Sequence, residues 1–278
     1  MKKLTSSMII LLGVVLFTSC QKDSATDPNT GDQGSLLIKI TDAPFPISLV
    51  AEANVTINKI EIRRENENEG FPFVTVFDEV TSFNLIHLRN EITEDLPEIP
   101  IPVGAYNLVR LYVADASIVL TDGRTFDLKV PSGAQTGIKI VVDPSIVLES
   151  GLTSELLLDF DLSQSFVVQG NPFTPAGIQG FIFKPVIRAI NLTSAGRIVG
   201  TVTDPASAAV AEAQVWVEQD SVVSSTFADS SGVYGLIGLP AGSYSAYATK
   251  AGFDTVAVPN VNVLPGNRTV VDFVLTPQ

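Results

Sequence analysis

Apolar residues recur at every second position along most of this chain, in short runs cut by glycine, proline, aspartate and asparagine. Leu36, Ile38 and Ile40 form one such series, and Val109, Leu111 and Val113 another. Phe126–Val130, Ile138–Val142 and Leu156–Phe160 repeat the pattern. A strand turns successive side chains to opposite faces, so a period of two is the mark of half-buried strands. No helical period is sustained over three turns. The expected fold class is all-β, as two tandem antiparallel β-sandwiches. Val55 and Ile57 alternate in one phase and Ile60 and Ile62 in the other, which predicts a β-bulge near Asn58–Lys59.

Composition limits what such a fold can do. The formal net charge is −13, from 17 Lys+Arg against 30 Asp+Glu. Nucleic-acid binding needs a basic footprint, so that partner is not expected. One Cys and one His leave no disulfide and no multi-cysteine zinc site, and they weaken His-dependent catalysis. No glycine-rich loop enters a helix, so a phosphate cradle is missing. No cofactor is expected. A 45% apolar content supplies enough material for packed cores.

Residues 1–20, MKKLTSSMIILLGVVLFTSC, place two lysines before the apolar run Met8–Phe17. A bilayer span needs about 20 apolar residues, so the run fits a secretory signal core better than an ordinary anchor. Leu16-Phe17-Thr18-Ser19-Cys20 resembles a bacterial lipobox, with Phe17 where leucine is usual. That resemblance implies a signal peptide over 1–19 and lipidation of Cys20. Two or three acyl chains would hold the protein on a membrane stably. Loss of Lys2 and Lys3 would leave an acidic chain that anionic headgroups repel, so attachment would come from the lipid. Residues 20–35 are polar and rich in Gly, Pro, Asp, Ser and Thr, and read as a flexible stalk. Gln21-Lys22-Asp23 partly resembles the surface-export signal of Bacteroidota lipoproteins.

Two globular regions follow, 36–192 and 196–278. Five words in the first resemble one family: Ile40-Thr41-Asp42-Ala43-Pro44, Ile101-Pro102-Val103-Gly104-Ala105-Tyr106, Val130-Pro131-Ser132-Gly133, Leu158-Asp159-Phe160-Asp161 and Lys184-Pro185-Val186-Ile187-Arg188. They are similar to the domain-of-unknown-function family 4382. The resemblance implies a β-sandwich in an extracytoplasmic setting and brings no catalytic residues. In the second region, Gly196–Asp204, Ala213–Val217, Asp229–Gly232 and Leu239-Pro240-Ala241-Gly242-Ser243-Tyr244 resemble the carboxypeptidase regulatory-like domain. That implies a small transthyretin-like accessory sandwich, with no peptidase activity. Asp229-Ser230-Ser231-Gly232 predicts a tight hairpin turn, and Tyr244, Ala246 and Ala248 share one strand face.

Few residues invite chemistry. Asp159 and Asp161 share a strand face and are the weak metal candidates, since a hard cation such as calcium takes oxygen ligands. The competing expectation is that both face solvent while Leu158 and Phe160 face the core. Asp42 and Lys139 are expected to pair with Asp161 or Arg188 at strand ends. His87, in an alternating apolar context, is expected to be half-buried and hydrogen-bonded. Val215 and Trp216 lie on opposite faces of one strand, so one of them must face outward or toward a partner. Burial of Trp216 is the expectation. No catalytic site is assigned, and the protein is expected not to be an enzyme.

The function expected is that of a lipid-anchored binding or adhesion protein at the outer membrane, exposed at the cell surface. Its partners would be the membrane, through the lipid, and polysaccharide or an envelope protein. The alternatives are a structural spacer or accessory to an outer-membrane transport complex, and a carboxylate-based hydrolase, since glycosidases need only two carboxylates.

Overall fold

A computed structural model describes residues 32–43, 49–65, 72–130 and 136–278. The signal segment 1–19, Cys20 and the Pro131-Ser132-Gly133 turn lie outside the described residues. Among the described residues no helix is long and apolar enough to cross a membrane. The chain is all-β. The first strand runs Gln33–Ala43, so the last three residues of the stretch read as a stalk are strand.

The first region is built on two long strands, Val50–Arg64 and Gly104–Leu120, paired antiparallel over most of their length. The pairing slips between Ile57 and Lys59, where the phase of the apolar pattern changes. A continuous path of hydrogen-bonded strands then runs through Ile138–Leu148, Ile187–Asn191 and Thr153–Asp161 to Gln33–Ala43. Most pairs are antiparallel, as expected. The Gln33–Ala43 and Thr153–Asp161 strands pair in parallel, and so do Ile187–Asn191 and Ile138–Leu148. Parallel pairs join residues far apart in sequence, which a local pattern does not encode. The sheet closes over one core that includes Ile40, Val55, Ile60, Val109, Leu111, Leu158 and Phe160.

The second region is a sandwich of two four-stranded sheets. Val233–Pro240, Ala195–Thr203, Arg268–Val270 and Phe273–Val274 form one. Val222–Phe227, Gln214–Glu218, Gly242–Thr249 and Val256–Val263 form the other. Its core contains Ile198, Val215, Val217, Tyr244, Ala246, Ala248 and Phe273. The predicted hairpin is present: Asp229 Oδ1 accepts from the amides of Ser231 and Val233, and Gly232 takes φ +76°. That is a left-handed conformation that glycine adopts without a Cβ penalty.

One device recurs in both regions. Pro102-Val103-Gly104-Ala105-Tyr106 and Pro240-Ala241-Gly242-Ser243-Tyr244 share a Pro-x-Gly-x-Tyr spacing. Each tyrosine is fully buried, and its hydroxyl donates to the carbonyl of the proline four residues back, at 2.8 and 2.6 Å. A buried hydroxyl needs a partner, and this spacing supplies one locally. The bond fixes how the chain enters each following strand.

The two regions are docked. Leu192-Thr193-Ser194 is a tight turn in which Asn191 Oδ1 accepts from the Thr193 amide and Ser194 Oγ donates to the Asn191 carbonyl. Leu157, Ile190 and Ala195 form a small apolar cluster with Leu192 and Ile237. A loop of the first region, Arg89-Asn90-Glu91, then enters the seam. Asn90 and Glu91 both have left-handed backbone, at φ 57° and 65°. Asn90 Oδ1 accepts from Thr226 Oγ1 at 2.7 Å and from the Gly235 amide at 3.4 Å; its Nδ2 donates to the Phe227 carbonyl at 3.0 Å. Arg197 pairs with Glu91 at 3.1 Å, and Arg89 with Glu212 at 3.6 Å. A Cβ on Gly235 would stand 2.5 Å from Glu91 Cγ, so glycine is what lets the loop sit there.

Candidate functional site

The carboxylates singled out from the sequence meet at this seam. Asp159 is 4% exposed and receives both Nε and Nη2 of Arg188 on one oxygen, the first at 3.1 Å. The expectation that Asp159 faces solvent is therefore corrected. Its strand is covered on both faces, because the second region packs over Leu157 and Ile190. The unbroken run Leu156-Leu157-Leu158 is what a strand buried on both faces looks like. Asp161 is occupied differently: it caps the short helix Leu162–Ser165, accepting from the Gln164 amide at 3.1 Å and Ser163 Oγ at 2.6 Å. Among the described residues no group of three Asp, Glu, His or Cys side chains is arranged to hold a metal ion.

Asp42 completes the cluster, but as neither partner expected of it. Its Oδ1 accepts from the Leu162 amide at 3.3 Å, and its buried Oδ2 has no hydrogen-bond partner. Burial, and then the nearby Asp159 carboxylate, push its carboxyl well above the usual range. Burial also raises Asp159, against the pull of Arg188. Lys139 is exposed on another strand, in register with Arg110, and does not join Asp42, Asp161 or Arg188. His87 is corrected too: it is exposed on the short helix Leu85–His87. The seam carries a polar cleft of about 620 Å³ whose lining includes Lys39, Glu91, Glu155, Thr193 and Arg197. It holds no aromatic side chain.

The aromatic chemistry lies elsewhere, on the outer face of the second region. Val215 and Val217 are fully buried, and Trp216 points away from the core, so the expected burial of Trp216 is corrected. Its ring stacks on Tyr247 of the neighbouring strand, centroids 5.1 Å apart and planes within 11°. Nε1 donates to Glu218 Oε1 at 2.8 Å, which fixes the indole in its plane. The residues in register on the flanking strands are Ser225 beside Trp216 and Ala257 beside Tyr247, both small. Phe227 lies diagonally across from Trp216, opposite Gln214. The result is a partly exposed aromatic strip edged by Gln214, Glu218, Ser225 and Ser245. The signal was in the sequence: Ala213, Val215 and Val217 keep the apolar phase, and Trp216 falls in the polar phase with Gln214 and Glu218.

Such a strip can hold the flat apolar face of a ligand while the neighbouring hydroxyl, amide and carboxylate groups take its polar edge. No device for nucleophilic attack stands beside it.

Comparison with known proteins follows this division of the chain. The carboxypeptidase regulatory-like domain matches residues 197–276. No curated protein matches the chain. Among solved structures, the Bacillus anthracis TIE protein is 16% identical with a TM-score of 0.26; it covers 88% of this chain, which spans only 34% of its length. Shaft pilin SpaA from Lactobacillus rhamnosus GG is 10% identical at TM-score 0.25, covering 88% of this chain and 98% of its own. BcpA, the major pilin subunit of Bacillus cereus, is 10% identical at TM-score 0.23, covering 88% of this chain and 100% of its own. Scores this low carry no argument, and the fold assignment rests on the sheets described above. The family described as Domain of unknown function (DUF4382) matches residues 33–185, more than half of the chain, and the protein belongs to that family.

Proposed function

We propose that this is a non-catalytic, lipid-anchored binding protein of the bacterial outer membrane, exposed at the cell surface, that holds polysaccharide on its second domain. The observation that carries the reading is the outward Trp216–Tyr247 stack with open, small-residue flanks. Sugar rings present an apolar C–H face and a polar hydroxyl rim, which matches an aromatic strip bordered by Glu218, Gln214 and serines. The anchor is Cys20, and the polar stretch after it would carry the domains clear of the bilayer. The two carboxylates singled out from the sequence are engaged otherwise: Asp159 with Arg188, Asp161 with a helix end. The same docked pair of domains would suit a spacer or transport accessory, but that role makes no use of an exposed aromatic strip.

The test is a glycan array probed with the full-length protein and with Trp216→Ala. Binding of defined glycans by the first and their loss with the second, at unchanged fold, is the expected result. Equal binding by both would move the site off the strip. No binding by either would favour the spacer.

A further inference from the structure

The first domain carries a second face with an opposite character to the rest of the molecule. Ile60 and Ile62 point into the core, so Lys59, Glu61 and Arg63 line the other side of their strand. The register sets Lys59 beside Tyr112 and Glu61 beside Arg110, and Arg110 beside Lys139 on the next strand. Around Glu61 this face groups four cations, Lys59, Arg63, Arg110 and Lys139, with Asp143 and Glu65 as the next described carboxylates toward the far ends of these strands. The chain as a whole has a formal net charge of −13.

The carboxylate at the centre of the group is fully used. Glu61 takes Lys59 Nζ at 2.5 Å, Arg110 Nη1 at 3.5 Å and the Tyr112 hydroxyl at 2.9 Å. Burial opposes its ionisation, and the bonds from Lys59 and Tyr112 outweigh burial and hold it below the usual carboxylate range. The guanidiniums are steadied by a ring. Arg110 lies 3.7 Å and Arg63 5.4 Å from the centroid of Phe73, and Lys59 lies 4.7 Å over Tyr112. Arg63 Nε and Arg110 Nε are buried without a hydrogen-bond partner, so they are no part of what the face offers to solvent. Two guanidiniums held on one ring have little side-chain freedom left to lose when an anionic group approaches them.

We infer that this basic–aromatic face binds an acidic polysaccharide, through the carboxylate or sulfate groups spaced along its chain. The face covers about 10 Å across three strands and about 13 Å along them, room for more than one charged group of a polymer. The acidic remainder of the protein repels a flat anionic surface, so isolated charges on a flexible chain fit better than a membrane does. This site is on the first domain and is independent of the Trp216 strip.

The test offers the full-length protein in neutral detergent a sulfated polysaccharide, a polyuronate, neutral dextran and vesicles rich in anionic lipid. Binding is read at about 0.05 M and about 0.5 M salt, across the range where screening removes exposed charge contacts. The expected result is binding to one or both acidic polymers, abolished by salt and absent on dextran. Arg63→Gln with Arg110→Gln should weaken it about tenfold or more, as loss of charge-assisted contacts does. Lys139→Gln changes an exposed side chain without touching Phe73 and should weaken it about threefold, with melting unchanged. Trp216→Ala should leave this binding intact. Equal binding by all variants, equal retention on dextran, or binding to vesicles alone would overturn the inference.

Discussion

Asn90 makes three hydrogen bonds from the first domain to the second, and its replacement has a calculable cost. Asn90→Ala removes bonds to the Thr226 hydroxyl, the Gly235 amide and the Phe227 carbonyl. Thr226 is 2% exposed, so its hydroxyl would lose its partner with little access to water. At a net 0.5–1.5 kcal/mol for an ordinary hydrogen bond, with the Gly235 bond long, the loss is about 2–3 kcal/mol. Alanine also tolerates the left-handed backbone at φ 57° less well than asparagine, which adds about 1 kcal/mol. Asn90→Gly loses the same bonds without that strain, so it should cost about 1 kcal/mol less than Asn90→Ala. The assay is urea unfolding followed by two probes. Trp216 is the only tryptophan, so its fluorescence reports the second domain, whereas far-ultraviolet circular dichroism reports both. The wild-type transitions should coincide, and those of Asn90→Ala should separate. Coincident curves with a stability change under about 0.5 kcal/mol would refute the account of the seam.

Two further perturbations bear on the buried acid and on the anchor. The Asp42 carboxyl is raised in the folded state, so its contribution is fully present below its unfolded pKa of about 3.9 and is lost as pH rises through the folded value. Asp42→Asn keeps an acceptor for the Leu162 amide and removes the titration. Denaturant unfolding across pH 4 to 8 should show the wild type losing stability relative to the variant as pH rises, and parallel profiles would contradict this. Cys20→Ala should abolish incorporation of labelled palmitate and release the protein from the membrane fraction; label retained on the variant would remove the lipid anchor from the account.

Local features were the most legible. The phase change at Asn58–Lys59 marked a bulge, Asp229–Gly232 marked a hairpin, and the alternation of Tyr244, Ala246 and Ala248 marked a buried face. Each depends on residues within a few positions of one another. The parallel pairing of Gln33–Ala43 with Thr153–Asp161 depends on loop closures of over a hundred residues and leaves no local trace. The seam was hidden for the same reason. The segment around Thr193, between the two regions, is a tight turn, and Leu157, Ile190 and Ile237 supply apolar surface on both sides of it. Asp159 is hidden by the same packing: a carboxylate alternating with Leu158 and Phe160 reads as solvent-facing until the second domain covers that side. The outward position of Trp216 is legible in its neighbours, because Val215 and Val217 set the buried phase of the strand.

The proposed ligand rests on the Trp216–Tyr247 strip. Because no other tryptophan contributes, titrating the full-length protein with oligosaccharides while following intrinsic fluorescence observes that strip alone. A saturable change in intensity or emission maximum is expected for at least one oligosaccharide. Tyr247→Ala should weaken this binding about tenfold or more, in keeping with loss of a large aromatic contact. Saturable binding seen by calorimetry with no change in Trp216 emission, or an affinity untouched by Tyr247→Ala, would contradict this placement of the ligand.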